Sequence, residues 1–385
     1  MRPPEHFDIY PVCEVSGIGK TSGGRYSDSK QFVVQDKENV VVNVSMNNMQ
    51  LYGICCGFNG GLDVATFVAN GMVHAVYSDN PINMSYTCAR LRRMLKSKFE
   101  TIAASYRESL DDFFEQRKLL LQDPIKNKVE LQEIESKLSR GTTAIFLLHI
   151  DNNIHVLHCG GSNVALTISD NKRGKKEASR RNLLNHNKDD PEEQERLRAA
   201  NIDPHLVTGS TRAVGDFLRS DLYKDHPDFF SASSAPIIAE PDVVTHPVEI
   251  GWKFLLLLSD GVVQNVQTYQ HELVTRYFSE DFTSSILSDD STISKAAQHF
   301  SNHVAREHSD AYYESGRELH TMSNFRAEQA IVLVKLADYE ICEDFDSTMG
   351  SMNTSLTLET MEAIEPYVDI PPGLFNENLL SIFED

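Results

Sequence analysis

The chain has 385 residues, with 36 Lys and Arg against 56 Asp and Glu, for a formal charge of −20. Twelve of the carboxylates fall in residues 336–385, which hold no Lys or Arg, so the first 335 residues carry 36 bases and 44 acids, a net −8. A chain this acidic repels a phosphate backbone, which excludes general nucleic-acid binding.

In chain order, short apolar runs at 40–44 and 51–55 read as strands. A long helical stretch follows, with Leu91, Met94, Leu95, Phe99, Ile102, Tyr106, Leu110 and Phe113 at spacings of three and four. A second helix carries Val129, Leu131, Ile134 and Leu138 after a break at Pro124. The two are expected to form an antiparallel hairpin laid on a sheet, since no heptad is sustained.

Residues 144–150 and 154–159, joined across Asp151-Asn152-Asn153, read as a β-hairpin. A strand is expected at 164–168. The basic run Lys172, Arg173, Lys175, Lys176, Arg180 and Arg181 precedes Asp189, Asp190, Glu192, Glu193 and Glu195 and has no aromatic for base stacking, so it reads as a solvated loop. Helices at 192–200 and 294–307 and strands at 254–258 and 330–336 complete the expected fold.

Beyond residue 336 the chain turns to Ser, Thr, Met, Asn and acidic residues without a period, which is linker composition. No run approaches the roughly 18 apolar residues of a membrane span. Residues 1–8 lack the apolar core of a signal peptide. Six cysteines without a Cys-x-x-Cys pair suggest a reducing compartment and no structural zinc. The expectation is a soluble cytoplasmic protein with neither membrane nor nucleic acid as partner.

Several catalytic patterns fail on inspection. Gly17-Ile18-Gly19-Lys20-Thr21 ends like a phosphate-binding loop, but Glu14 stands where the first glycine is required. Neither a Gly-x-Ser-x-Gly elbow nor a His-Glu-x-x-His pair occurs. Cys55 and Cys56 are adjacent in an expected strand and must point to opposite faces.

What remains is an ordered series of strings. It begins with Tyr52-Gly53-Ile54-Cys55-Cys56-Gly57-Phe58-Asn59-Gly60-Gly61, Gly141-Thr142-Thr143-Ala144 and Cys159-Gly160-Gly161-Ser162-Asn163. It continues with Pro191-Glu192-Glu193-Gln194-Glu195-Arg196-Leu197-Arg198-Ala199-Ala200, Ser210-Thr211-Arg212-Ala213-Val214-Gly215-Asp216, Ala239-Glu240-Pro241-Asp242-Val243 and Leu258-Ser259-Asp260-Gly261. In order and spacing the series resembles the metal-dependent serine/threonine protein phosphatase (PPM) family over about residues 10–336.

The resemblance implies an α+β fold, an antiparallel β-sandwich flanked by helical layers, here followed by a short C-terminal tail. It implies domain limits of 1–338 for the phosphatase-like domain, 339–363 for an acidic Ser/Thr-rich linker and 364–385 for the tail. It also implies where two Mg²⁺ or Mn²⁺ ions would sit. The family's bridging aspartate falls at Cys56, followed by Gly57, with Phe58 in place of its His. The N-terminal acidic position falls near Ser27, beside Asp28, and the family's remaining metal positions fall at Gly161, Asp260, Gln264 and Glu328. Only Asp260 and Glu328 are carboxylates, too few for a bridged centre of about +4 charge. A protonated thiol is too soft to bridge two hard cations. The expectation is a pseudophosphatase with no cofactor and no catalytic residue. Arg25 lies where the family keeps its phosphate-contacting arginine, and either keeps a bidentate phosphate contact or makes a surface salt bridge.

The tail string Glu365-Pro366-Tyr367-Val368-Asp369 following such a domain resembles the adaptors that bind and activate the TGF-β-activated MAP kinase kinase kinase. That resemblance implies docking through the tail, promotion of kinase autophosphorylation in MAPK signalling, and a downstream MAP kinase as a further partner. The residues agree independently, because Phe375, Leu379, Ile382 and Phe383 form one apolar stripe on a short helix that would order on binding. Expected contacts are Tyr367, Val368, Asp369, Ile370, Phe375, Leu379, Leu380 and Phe383. Here Ile370 and Pro371-Pro372 replace the usual aromatic after Tyr-Val-Asp. The alternatives are a divergent metal-dependent phosphatase and a phosphopeptide-binding module using Arg25.

Overall fold

The computed structural model describes residues 12–18, 32–36, 39–46, 49–77, 86–161, 164–170, 176–181, 186–249, 252–263 and 330–336. Its strands are β1 (Val12–Ile18), β2 (Phe32–Asp36), β3 (Asn39–Met46), β4 (Met49–Phe58), β5 (Gly141–Ile150), β6 (Asn153–Cys159), β7 (Val164–Asp170), β8 (Lys176–Arg180), β9 (Val214–Gly215), β10 (Asp242–Pro247), β11 (Trp252–Leu258) and β12 (Ala330–Leu336). Its helices are α1 (Leu62–Tyr77), α2 (Cys88–Glu108), α3 (Asp111–Leu120), α4 (Lys128–Leu138) and α5 (Pro191–Ala199).

The strands form two sheets. One runs β10-β6-β5-β4-β3-β2, with β9 added to β5, and the other runs β1-β12-β11-β7-β8. Side chains alternate across a strand, and β4 uses both faces. Tyr52, Ile54 and Cys56 join Ile145, Leu147, Ile154 and Val156 against Trp252, Leu255, Leu257, Ala330 and Val332 of the facing sheet. Met49, Leu51 and Cys55 point the other way, into a layer built by Val64, Val68 and Met72 of α1 and Leu95, Phe99 and Ile102 of α2. The opposed directions of Cys55 and Cys56 are therefore as the period-2 reading requires. β5 is buried along its whole length because it is covered on both faces.

The seven strands expected from apolar runs all form. The hairpin closes at Ile150↔Asn153, with Asp151 in the left-handed region at φ 49°. Helix α5 matches the expected stretch to within one residue at each end, and α2 starts on Thr87, whose hydroxyl accepts from the Arg90 amide at 3.3 Å.

Four readings change. The long helical stretch is two helices, α2 and α3, and it is α3 that packs on α4, while α2 packs on α1. Helix α1 has no amphipathic stripe to betray it, because sheet and α2 bury it on most sides. Part of the basic run is not loop but edge strand β8, and Arg181 just after it stacks over Trp252 at 4.2 Å. Charge on an edge strand discourages pairing with other chains, which is why β8 lacks an apolar run. Lastly, the sandwich is not wholly antiparallel, since β1 pairs with β12 in parallel, Val12↔Ala330 through Ile18↔Leu336. The helix expected at 294–307 lies outside the described residues. Among the described residues no helix is long and apolar enough to cross a membrane.

Candidate functional site

The C-terminal ends of β4, β6 and β11 converge at one end of the sandwich. Cys56 sits on the inner face of β4, paired with Thr143 of β5 on one side and Asn39 of β3 on the other. Gly160 and Gly161 continue β6 beside Thr143. Gly160 has φ 140°, and a Cβ on it would lie 2.3 Å from the Thr143 Cβ, so only glycine fits there. Asp260 opens a helical turn after β11, directed by Ser259, whose amide donates to the Ala330 carbonyl at 3.0 Å and whose hydroxyl accepts from the Ala330 amide at 2.9 Å.

Cys56 and Asp260 are neighbours. Burial pushes the Cys56 thiol well above its ordinary value, and the Asp260 charge pushes it further; hydrogen bonds involving the Asp260 backbone and the Thr143 side chain oppose this without reversing it. The sulfur is therefore a neutral thiol at physiological pH. The fold thus brings together Cys56, Gly57, Gly161 and Asp260 of the expected positions. Ser27, Asp28, Arg25, Gln264, Glu328 and every expected tail contact from Tyr367 to Phe383 lie outside the described residues. Among those described, no group of three or more His, Cys, Asp or Glu side chains is arranged to hold a metal ion.

A polar network next to this end absorbs the remaining strings. Glu193 of α5, 1 % exposed, is held between Arg212 Nη2 at 2.6 Å and Arg196 Nη2 at 2.9 Å. Arg212 Nη1 also reaches Asp242 Oδ1 at 3.3 Å. Asp242 Oδ2 accepts from His186 Nε2 at 2.7 Å, which leaves His186 Nδ1 to accept from the Gly160 amide at 3.1 Å. His186 is fully buried and stacks on His158, with ring centroids 4.7 Å apart. Burial pushes the Glu193 carboxyl up, but Arg196 and Arg212 outweigh it and hold it below the usual carboxylate range. Burial likewise raises Asp242, and His186 and Arg212 bring it below its ordinary value. The three strings around Glu193, Arg212 and Asp242 are thus one ion-paired brace ending on the Gly160 turn. Their joint role is not legible in the sequence, where Glu193 stands among Glu192, Glu195, Arg196 and Arg198 and the three residues are far apart along the chain.

Against known proteins, the Protein phosphatase 2C profile matches residues 82–309. The chain belongs to the protein phosphatase 2C family. This is the metal-dependent family expected above, and the two-sheet α+β architecture is its fold. A curated relative from Caenorhabditis elegans, "TGF-beta-activated kinase 1 and MAP3K7-binding protein 1", is 33% identical over 368 residues, covering 94% of this chain and 92% of the relative. Solved structures similar to this phosphatase 2C chain include a bacterial serine phosphatase, 13% identical with a TM-score of 0.42 over 82% of this chain and 97% of that one. Another is the serine/threonine phosphatase Stp1 from Staphylococcus aureus, 14% identical with a TM-score of 0.42 over 74% and 91%.

For this phosphatase 2C domain, Cys56→Asp tests the chemistry of the converging end. A carboxylate placed in the inter-sheet core beside Asp260 is expected to cost about 2 kcal/mol at pH 7. Its pKa would be raised in the fold, so the cost shrinks as pH falls toward the unfolded carboxylate value of about 4. Urea unfolding of both chains at pH 7 and pH 4.5 checks this; an unchanged midpoint at pH 7 would show that the end tolerates the charge.

Proposed function

We propose that the chain is a non-catalytic phosphatase 2C-like adaptor that binds a MAP kinase kinase kinase of the TGF-β-activated type in the cytoplasm. On this reading its C-terminal tail docks on the kinase and promotes autophosphorylation, and a downstream MAP kinase joins the same assembly. The observation that carries the loss of catalysis is Cys56, a buried neutral thiol where the family places its bridging aspartate, with Asp260 as the neighbouring carboxylate. Mg²⁺ and Mn²⁺ take hard oxygen donors, and a neutral sulfur supplies neither the charge nor the hardness to join two of them. These residues do not fit a dimetal centre. Cys56, Gly161 and Gln264 are the substitutions that remove it, leaving Asp260 and Glu328. The kinase half of the reading is supported by a relative, similar along almost its whole length, whose name is that of a kinase-binding protein.

Calorimetry of the full chain with Mn²⁺ tests the first half. The expected result is no uptake of two ions per chain. Two bound ions, or Mn²⁺-dependent phosphopeptide hydrolysis abolished by Asp260→Asn, would overturn it in favour of a divergent phosphatase.

A further inference from the structure

Between helix α2 and the segment 235–240 lies a cleft of about 440 Å³. Ala103 and Ala104 of α2 line one side, and Ala213, Ala235, Ile238 and Ala239 line the other. Five of these six are alanines. Where longer side chains would interlock with the helix and close the gap, these leave it open, and Ala104 is exposed at its mouth.

The wall facing α2 has no helix or strand of its own, yet it is fixed. Arg196 of α5 donates to the carbonyls of Ala235 at 3.2 Å, Pro236 at 2.9 Å and Thr211 at 3.3 Å. Arg212 donates to the Glu240 carbonyl at 3.2 Å. Ile238 gives its amide to the Thr211 carbonyl at 3.3 Å and accepts the Ala213 amide at 3.1 Å. The brace around Glu193 therefore also holds this wall, so the cleft exists before anything enters it, which lowers the ordering cost of binding.

Polarity says what fits. Among the described residues that line the cleft, Ser220 is the one uncharged polar side chain, and its hydroxyl is given to the Gly215 and Asp216 carbonyls at 3.3 and 3.2 Å. The interior thus presents aliphatic surface without convergent polar groups, which suits an apolar side chain and not a polar metabolite. The charges lie along the rim in two clusters. In one, Lys96 pairs with Glu240 and stands 3.9 Å from Glu100; in the other, Arg107 pairs with Asp221 at 2.5 Å and with Asp111. Each cluster has two carboxylates to one base. Three turns of α2 separate Lys96 from Arg107, about 16 Å, a distance that about five extended residues cover.

We propose that this cleft binds an extended segment of a partner protein that sets one large apolar side chain in the hollow and a Lys or Arg on either side of it, about five residues apart. Charge complementarity selects this occupant, because each flanking base meets one surplus carboxylate of the rim. The site is separate from the tail and does not depend on what the tail binds.

An immobilised library of short peptides tests this on the full chain. Each peptide carries Leu or Ser at its centre and Lys, Glu or Ser two or three residues to either side. A chain of charge −20 attracts any basic peptide, so the central Leu and the flanking lysines must both be needed. Binding is expected to be strongest for Leu between two lysines, and to fall about tenfold or more when that Leu is Ser. It should fall again when the lysines are Glu. Ala104→Trp, which fills the mouth from an exposed position on α2, should abolish the preference with the thermal midpoint unchanged. Glu100→Lys combined with Asp221→Lys should turn the preference toward Glu-flanked peptides. Binding by no peptide, binding that ignores the central residue or the flanks, or binding that survives Ala104→Trp would overturn the proposal. So would a chain that sediments as a dimer and becomes a monomer in Ala104→Trp, since the cleft would then belong to a second copy.

Discussion

Changing Phe375, Leu379 and Phe383 together to alanine in the full chain is expected to weaken kinase binding at least about 100-fold, because buried aromatic and aliphatic anchors each contribute about 1–2 kcal/mol and 2.7 kcal/mol is already a hundredfold. At spacings of four the three residues fall on the one stripe expected of the tail, so removing them takes away its apolar residues while leaving every tail carboxylate in place. Titration calorimetry against the kinase domain of a TGF-β-activated MAP kinase kinase kinase reads the change. A parallel chain with Glu377→Gln and Glu384→Gln should lose far less, since charges outside the apolar stripe are expected to contribute little. Equal losses in the two chains would mean that the tail acts through its charge and not through its stripe. Undiminished binding by the alanine chain would remove the tail from the interface.

The second large effect lies in the brace. Arg212→Met keeps the side chain's bulk but removes the charge between Glu193 and Asp242, and leaves Glu193, 1 % exposed, with Arg196 as its remaining ion-pair partner. Breaking a buried ion pair on one side costs about 3–5 kcal/mol, a large part of the stability of an ordinary domain. The sign of the pH dependence follows from the depressed carboxyls. Glu193 and Asp242 both titrate below their ordinary values in the fold, so their contribution is present above about pH 4.5 and is lost as pH falls through their folded values. The variant should therefore be much less stable than the parent at pH 7, with the gap closing in acid. Urea unfolding at pH 7 and pH 3.5 measures both, and a gap that stays constant would detach Arg212 from these two carboxylates.

The strands with apolar runs were legible because most are covered on both faces; β5 and β11 could hardly be anything else. Helix α1 was not, since a helix wrapped by a sheet and a second helix loses the polar face that periodicity needs. β8 and β10 were missed for the opposite reason. β8 is a charged edge strand and β10 a half-exposed one ending in Pro247, so neither presents a continuous apolar run. At the candidate site, Cys56 and Asp260 could be named from family spacing, but their adjacency required β4 and β11 to face each other across the core. The brace was hidden differently. Glu193, Arg212 and Asp242 are distant in sequence, and ion pairing between them leaves no periodic trace.

The position of β12 in its sheet has a mechanical side. The tail continues from β12, which lies between β1 and β11 and runs parallel to one and antiparallel to the other. A pull along the axis of β12 loads the hydrogen bonds on both its edges together in shear, and they do not open one at a time like a zipper. Peeling would begin only if β1, at the edge of its sheet, came away first. A force in that direction therefore meets resistance shared along the whole strand.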